Sequence, residues 1–249
     1  MNISDIINFV KKNKQKLEDL YYKETLTYSG LNIFSPKAAI RICEAQTLYS
    51  IIVEKKYKDI LEIGTGTGFS TCYLAKALSD QDISCQDAQL TTVDMEDRKS
   101  EHSIISNLEK YNIKNYVNFI IGSSLDVLPA LLNENKKYDL IFIDGSHDYE
   151  ITKQDFNNSI NLLSDSGCVV FHDVNKRPES NPGPRNVFDD VSSKQFYKVL
   201  FNEDLFNLFN YQEDILDAER IHKKWQSTDF RFADPSANPK NLMGIVFKK

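Results

Sequence analysis

Between residues 56 and 173, short apolar runs alternate with amphipathic stretches. The runs lie at 59–63, 90–94, 117–121, 139–143 and 168–172, and stretches of helical periodicity at about 69–79, 100–111, 124–133 and 149–163 separate them. Runs of about five apolar residues suit strands buried on both faces, and regular β-then-α alternation predicts a parallel sheet covered by helices on both sides through right-handed crossovers. Ahead of this core, Ile3, Ile6, Ile7, Val10, Leu17 and Leu20 recur at helical spacing over 3–20 above a lysine-rich outer face. Ser35-Pro36 reads as an N-cap and first-turn proline, opening a helix that runs to about residue 54. Beyond residue 173, the turn-rich stretch Asn175–Pro184 precedes an expected helix at about 186–201 and strands at 205–210 and 243–247. The connection 211–240 carries Trp225 and dense mixed charge, and its length predicts a local helix near 213–224.

Every run of the core ends in polar or small residues: Glu62 and Gly64, Asp94, Gly122-Ser123, Asp144-Gly145 and His172-Asp173. In an open α/β sheet ligands bind outside the carboxyl ends of the strands, near the switch in strand order. Five strand ends of this kind predict one functional rim.

The first of them is the most specific. After Asp59-Ile60-Leu61 comes Glu62-Ile63-Gly64-Thr65-Gly66-Thr67-Gly68, then a helical pattern from Phe69. Glycine lets the backbone approach a ligand closely and take up positive φ; a ligand-free glycine-rich turn is the alternative. A dinucleotide fingerprint needs glycine at its first, third and sixth positions, and here the sixth is Phe69. Glu62 would repel a phosphate and suit a cation. The loop therefore fits a positively charged nucleoside without phosphates, as S-adenosylmethionine is, better than a nicotinamide dinucleotide.

At 249 residues with 41% hydrophobic and 27% charged residues, the chain is sized for one α/β domain. A net charge of −6 argues against general binding to nucleic acid or an anionic membrane. The N-terminus lacks the pattern of a signal peptide, and no apolar run approaches the roughly 18 residues of a membrane helix. Cys43, Cys72, Cys85 and Cys168 form no CxxC pair; Cys43, Cys72 and Cys168 read as core residues. A cytoplasmic protein acting on a small molecule is expected, with a homo-oligomer left open.

With LEIGTGTGFST, TTVDMED, GSSLDVLP, YDLIFIDGSHDYE and CVVFHDV in order over about residues 35–175, the chain resembles the class I S-adenosylmethionine-dependent methyltransferases, in particular small-molecule O-methyltransferases of the catechol, caffeoyl-CoA and macrolide-sugar type. The resemblance implies a Rossmann-like seven-stranded sheet with its last strand antiparallel, for which Met243–Phe247 is the candidate. It divides one domain into an N-terminal helical cap (1–55), a cofactor-binding core (56–175) and a C-terminal part (176–249) with an insertion at 211–240. It also implies that Glu62, Gly64, Thr65, Gly66 and Gly68 form the cofactor loop and that Asp94 accepts hydrogen bonds from the ribose hydroxyls. Ser124 and Leu125 would lie along the adenine, and Asp144 beside the methyl donor. A helix-capping role is the alternative for Asp94 and for Ser123-Ser124.

Asp144 and His147 are the catalytic candidates. Asp144 matches a carboxylate that ligates a divalent cation in metal-dependent relatives, and His147 stands where those relatives carry a lysine or histidine general base. Imidazole, titrating ordinarily near about 6.5, suits proton transfer at neutral pH. Asp173 matches a second carboxylate ligand. His172 stands where the sugar methyltransferases have glutamate, and Val174 where the catechol group has asparagine. Asp144, Asp173 and His172 would thus hold magnesium or manganese, with the imidazole leaning toward manganese, iron or zinc. The alternative is a hydrogen-bonded His172-Asp173 pair that orients His147. N-methylation and a non-catalytic, cofactor-binding subunit are the competing functions. The segments 1–55, 174–185 and 211–240 are expected to set substrate choice; Lys176, Arg177 and Arg185 read as a solvated loop, with an anionic substrate group as the alternative, and Tyr28 and Phe34 read equally as pocket wall or core. His102 and His222 read as solvated.

Overall fold

The computed structural model describes residues 1–31, 39–97, 104–174, 183–201, 203–209 and 243–249. Helices α1 (Ile3–Tyr22) and α2 (Ile42–Lys55) precede the alternating core. The core runs β1 (Asp59–Ile63), α3 (Phe69–Ser79), β2 (Gln89–Asp94), α4 (Ile104–Lys110), β3 (Val117–Ile121), α5 (Ser124–Asn133), β4 (Tyr138–Ile143), α6 (Tyr149–Leu162) and β5 (Leu163–Phe171). After it come α7 (Gly183–Asp190), β6 (Phe196–Leu200), one helical turn at Glu203–Phe206 and β7 (Gly244–Lys248).

The seven strands form one sheet in the order β3-β2-β1-β4-β5-β7-β6. β1 to β5 pair in parallel, and β7 runs antiparallel between β5 and β6. The chain winds outward from β1 to β3, then returns to place β4 on the other side of β1. The crossovers after β1 and β4 therefore leave toward opposite faces of the sheet, and this switch point is where open α/β sheets bind ligands.

Strand alternation divides the apolar residues between two layers. Ile60, Leu140, Phe142, Cys168, Val170 and Ile245 face α1, α2 and α3. Leu61, Ile63, Ile141, Ile143, Val169, Phe171 and Val246 face α5, α6 and α7. A sheet buried on both faces needs unbroken apolar strands, which explains why the runs were so distinct in the sequence. Glu62 breaks this pattern as a fully buried carboxylate one residue before the end of β1.

Several boundaries differ from the expectation. The stretch expected as one helix over 186–201 is α7 followed by β6. Ser192 to Gln195 turn the chain, and Phe196–Leu200 then pairs with β7 across a long sequence separation. The strand expected at 205–210 is instead a helical turn that ends at Phe206. β5 starts at Leu163 rather than 168, with a register shift opposite Tyr138 and Leu140. In the helix expected from Ser35, residues 39–41 are not helical; α2 starts at Ile42 behind an extended Arg41, and Arg41 N–H bonds to Glu44. Phe34, Ser35-Pro36, His102, Lys176, Arg177 and the 211–240 insertion lie outside the described residues, as does most of the 174–185 loop. Among the described residues no helix is long and apolar enough to cross a membrane.

Asp155 of α6 is 1% exposed, and neither carboxylate oxygen has a hydrogen-bond partner. Burial pushes its pKa up to about 6, opposed only in part by the nearby Ser124 hydroxyl. The folded state thus holds a proton that the unfolded chain releases near 3.8, so this group favours folding most below that value. The contribution is lost as pH rises through about 6. Asp155→Asn should therefore raise stability at pH 8 by up to about 3 kcal/mol relative to its effect at pH 4. Urea titrations at the two pH values check this, and equal differences at both would contradict it.

Candidate active site

The glycine loop is shaped from both sides. The Gly64 N–H donates to the Val93 carbonyl at 2.8 Å, and the Asp144 N–H to the Ile63 carbonyl at 2.9 Å, so the ends of β1, β2 and β4 are tied together. A Cβ on Gly64 (φ +99°) would lie 2.2 Å from the Asp144 carbonyl oxygen. Gly66 (φ +50°) has the opposite surroundings: a Cβ there would meet nothing within 4 Å. The loop is therefore closed against the protein at Gly64 and open at Gly66, as a backbone cradle for a ligand must be.

Beneath the cradle, Glu62 Oε2 accepts hydrogen bonds from Thr71 Oγ1 and Thr92 Oγ1, both at 2.7 Å. The Thr65 and Thr92 hydroxyls are 2.6 Å apart. The other carboxylate oxygen, Oε1, is buried without a partner. Burial raises the Glu62 pKa to about 7, against the opposing effect of the hydroxyl donors. An under-satisfied carboxylate beside an open cradle fits a ligand whose end nearest Glu62 is positive. Binding such a ligand should expel the Glu62 proton, so affinity should climb as pH rises from about 6 to 8 and level off above. Calorimetry with S-adenosylhomocysteine at pH 6.5, in buffers of different ionisation enthalpy, reads that proton directly. A Glu62→Gln variant should release none.

Asp94, at the end of β2, accepts from the Gly66 N–H at 3.0 Å through Oδ2 and from the Glu96 N–H at 3.1 Å through Oδ1. It is partly exposed, on the rim beside the open face of Gly66. On the same rim, Ser123 caps α5 by accepting from the Leu125 N–H at 3.3 Å. Ser124 is the first residue of α5, partly buried, with its hydroxyl toward Asp155. Leu125 is partly buried beside it.

The ends of β4 and β5 bring the remaining candidates together. The His172 N–H donates to the Ile143 carbonyl at 3.0 Å, and Asp173 has φ +54°, an uncommon conformation for a residue with a Cβ. His172 Nδ1 lies 3.0 Å from Asp144 Oδ1 and 3.5 Å from Asp173 Oδ2. His147 Nε2 is 2.7 Å from Asp173 Oδ2. One ligand atom from each of Asp144, His172 and Asp173 falls within 4.8 Å of the others. His172 is held well above its ordinary pKa by the surrounding carboxylates despite burial, which alone would lower it. Asp173 is held well below its ordinary value by His172 and His147 against its own burial, whereas burial raises Asp144.

The sequence reading did not single out Glu44, from the first turn of α2. It is buried, and its Oε2 accepts from the Arg41 N–H at 2.9 Å and lies 3.3 Å from His172 Nε2. Its one sequence signal is a charged pair, Arg41 and Glu44, at capping-box spacing in an otherwise apolar stretch.

Residues 61–174 match a family model described as a methyltransferase domain. A catechol O-methyltransferase of Mycobacterium tuberculosis is 27% identical over 116 residues, covering 47% of this chain and 49% of that protein. One from Niastella koreensis is 31% identical over 91 residues, covering 35% and 37%. The chain thus spans about half or less of the length of these curated relatives. A candidate caffeoyl-CoA O-methyltransferase from Staphylococcus aureus shares the fold at TM-score 0.60 and 19% identity, covering 95% of this chain and 99% of that one. The O-methyltransferase TomG from Streptomyces achromogenes, solved with S-adenosylmethionine, does so at 0.54 and 18%, covering 91% and 88%. With its switch-point glycine loop, its reversed β7 and this matched segment, the chain carries a methyltransferase-domain match over residues 61–174 and shares the fold of the S-adenosylmethionine-dependent O-methyltransferases.

Proposed function

We propose that this protein methylates a hydroxyl oxygen of a small molecule, with His147 as general base and a divalent cation, magnesium or manganese, at Asp144, His172 and Asp173. The observation that carries this reading is the 2.7 Å contact between His147 Nε2 and Asp173 Oδ2 beside the three-ligand cluster. A carboxylate on Nε2 orients the imidazole and favours the tautomer protonated there.

S-adenosylmethionine supplies a methyl group on a sulfonium sulfur, a good leaving group for displacement by oxygen. Gly64, Thr65, Gly66 and Gly68 would cradle it, Asp94 would receive the ribose hydroxyls, Ser124 and Leu125 would flank the adenine, and Glu62 would favour its positive end. The orphaned Glu62 Oε1 and the open face of Gly66 fit that group. The donor set of two carboxylates and an imidazole fits a divalent cation, because His172 Nδ1 makes no aligned hydrogen bond although Asp144 is close. A cation there would lower the substrate hydroxyl pKa and fix its position. Holding donor and acceptor in line is the protein's largest expected contribution, roughly 7–11 kcal/mol in well-oriented systems.

The relatives named as catechol O-methyltransferases and the neighbours solved with S-adenosylmethionine or S-adenosylhomocysteine support the reading. Transfer of labelled methyl from S-adenosylmethionine to a panel of catechols and other small hydroxylated compounds, with added manganese or with chelator, tests it. The expected result is O-methylated product that chelator suppresses and manganese restores. Transfer insensitive to chelator would remove the cation, and N-methylated product alone would remove the base.

A further inference from the structure

We infer that Glu44 is a positioning residue that sets His172 as a metal ligand, so that the N-terminal helical cap tunes the cation site of the core. This rests on the cation reading above.

A histidine offers a metal one ring nitrogen, and the hydrogen bond made by the other fixes which one. His172 Nδ1 faces Asp144 and Asp173, at 3.0 and 3.5 Å, while Nε2 faces Glu44 Oε2 at 3.3 Å. With Nε2–H donating to Glu44, Nδ1 is the nitrogen turned to the space shared with the two carboxylates, where a bound cation would take the place of its proton. The ring is buried, so no bulk water can take over that role.

Glu44 is itself held. The Arg41 N–H donates to the same oxygen at 2.9 Å, within the first turn of α2. Fixing the carboxylate fixes the imidazole plane. Gly64, Asp94, Asp144 and Asp173 all come from the strand ends of the core, whereas Glu44 precedes the matched segment and belongs to the cap. A neighbour of the ligands thus arrives on a different part of the chain from the ligands themselves.

The test is manganese binding to the full chain, read by electron paramagnetic resonance of free Mn²⁺, in wild type, Glu44→Gln, Glu44→Ala and Asp144→Ala. S-adenosylhomocysteine affinity is measured alongside by calorimetry. Gln keeps an oxygen that can accept from both Nε2–H and Arg41 N–H, so it should remain within about threefold of wild type. Ala removes the acceptor and should weaken manganese binding by about 10–100-fold, with nucleoside affinity unchanged. Manganese binding by Glu44→Ala equal to wild type would overturn the inference while leaving the cation site standing. Parallel loss of manganese and nucleoside binding in Glu44→Ala would also overturn it, by showing a general structural role. Wild type that binds manganese no better than Asp144→Ala would overturn the cation reading and this inference together.

Discussion

Replacing His147 with alanine should lower the turnover of methyl transfer by about 10²–10⁴-fold, the usual span for a positioned general base. The affinity for S-adenosylhomocysteine should stay close to that of wild type. The split follows from position: His147 is nearly half exposed on the loop after β4 and engages Asp173, whereas the cradle is built from β1 and β2. Asp173→Asn should reproduce part of the loss, because an amide can present a donor to Nε2 and turn the lone pair away from the substrate. Single-turnover rates over a range of pH, with calorimetry for binding, separate the two effects. Wild-type turnover in His147→Ala would take the imidazole out of the reaction.

Replacing Asp94 with alanine should act on the opposite parameter. Its carboxylate accepts from two backbone N–H groups, one of them in the glycine loop, and is proposed to accept from the ribose as well. A hydrogen bond to a charged group contributes about 1.5–3 kcal/mol, so losing the ribose pair alone predicts nucleoside affinity weaker by at least about tenfold. Loosening of Gly66 adds to that loss. Turnover at saturating S-adenosylmethionine should fall much less. Asp94→Asn should lie between, retaining the acceptor oxygen without its charge. Unchanged affinity for S-adenosylhomocysteine in Asp94→Ala would refute the ribose assignment.

The strands closest to the site were legible because burial on both faces leaves no room for polar residues except where they serve the rim. β1 and β3 match the apolar runs residue for residue, and β2, β4 and β7 match within a residue. α3 and α5 likewise keep the boundaries of their periodic stretches. β6 was not legible, since among the described residues Phe196–Leu200 pairs only with Gly244–Lys248, far along the chain, and nothing adjacent marks it as an edge strand. Asp144, His147, His172 and Asp173 could be found because each follows a strand. Glu44 could not be found that way. It lies inside an apolar helical stretch, and its contact with His172 spans 128 residues and exists only once α2 packs beside the sheet.

The three threonine hydroxyls around Glu62 also have a consequence for ligand choice. While Glu62 is ionised, Thr92 must donate to it, so the proton between Thr65 and Thr92 has to come from Thr65. Thr65 is then left with lone pairs only. The Thr65–Thr92–Glu62 chain is thereby polarised in one direction, with its protons directed toward Glu62 and its electron pairs at Thr65. Electron pairs at Thr65 suit an ammonium or hydroxyl group and repel the oxygens of a phosphate.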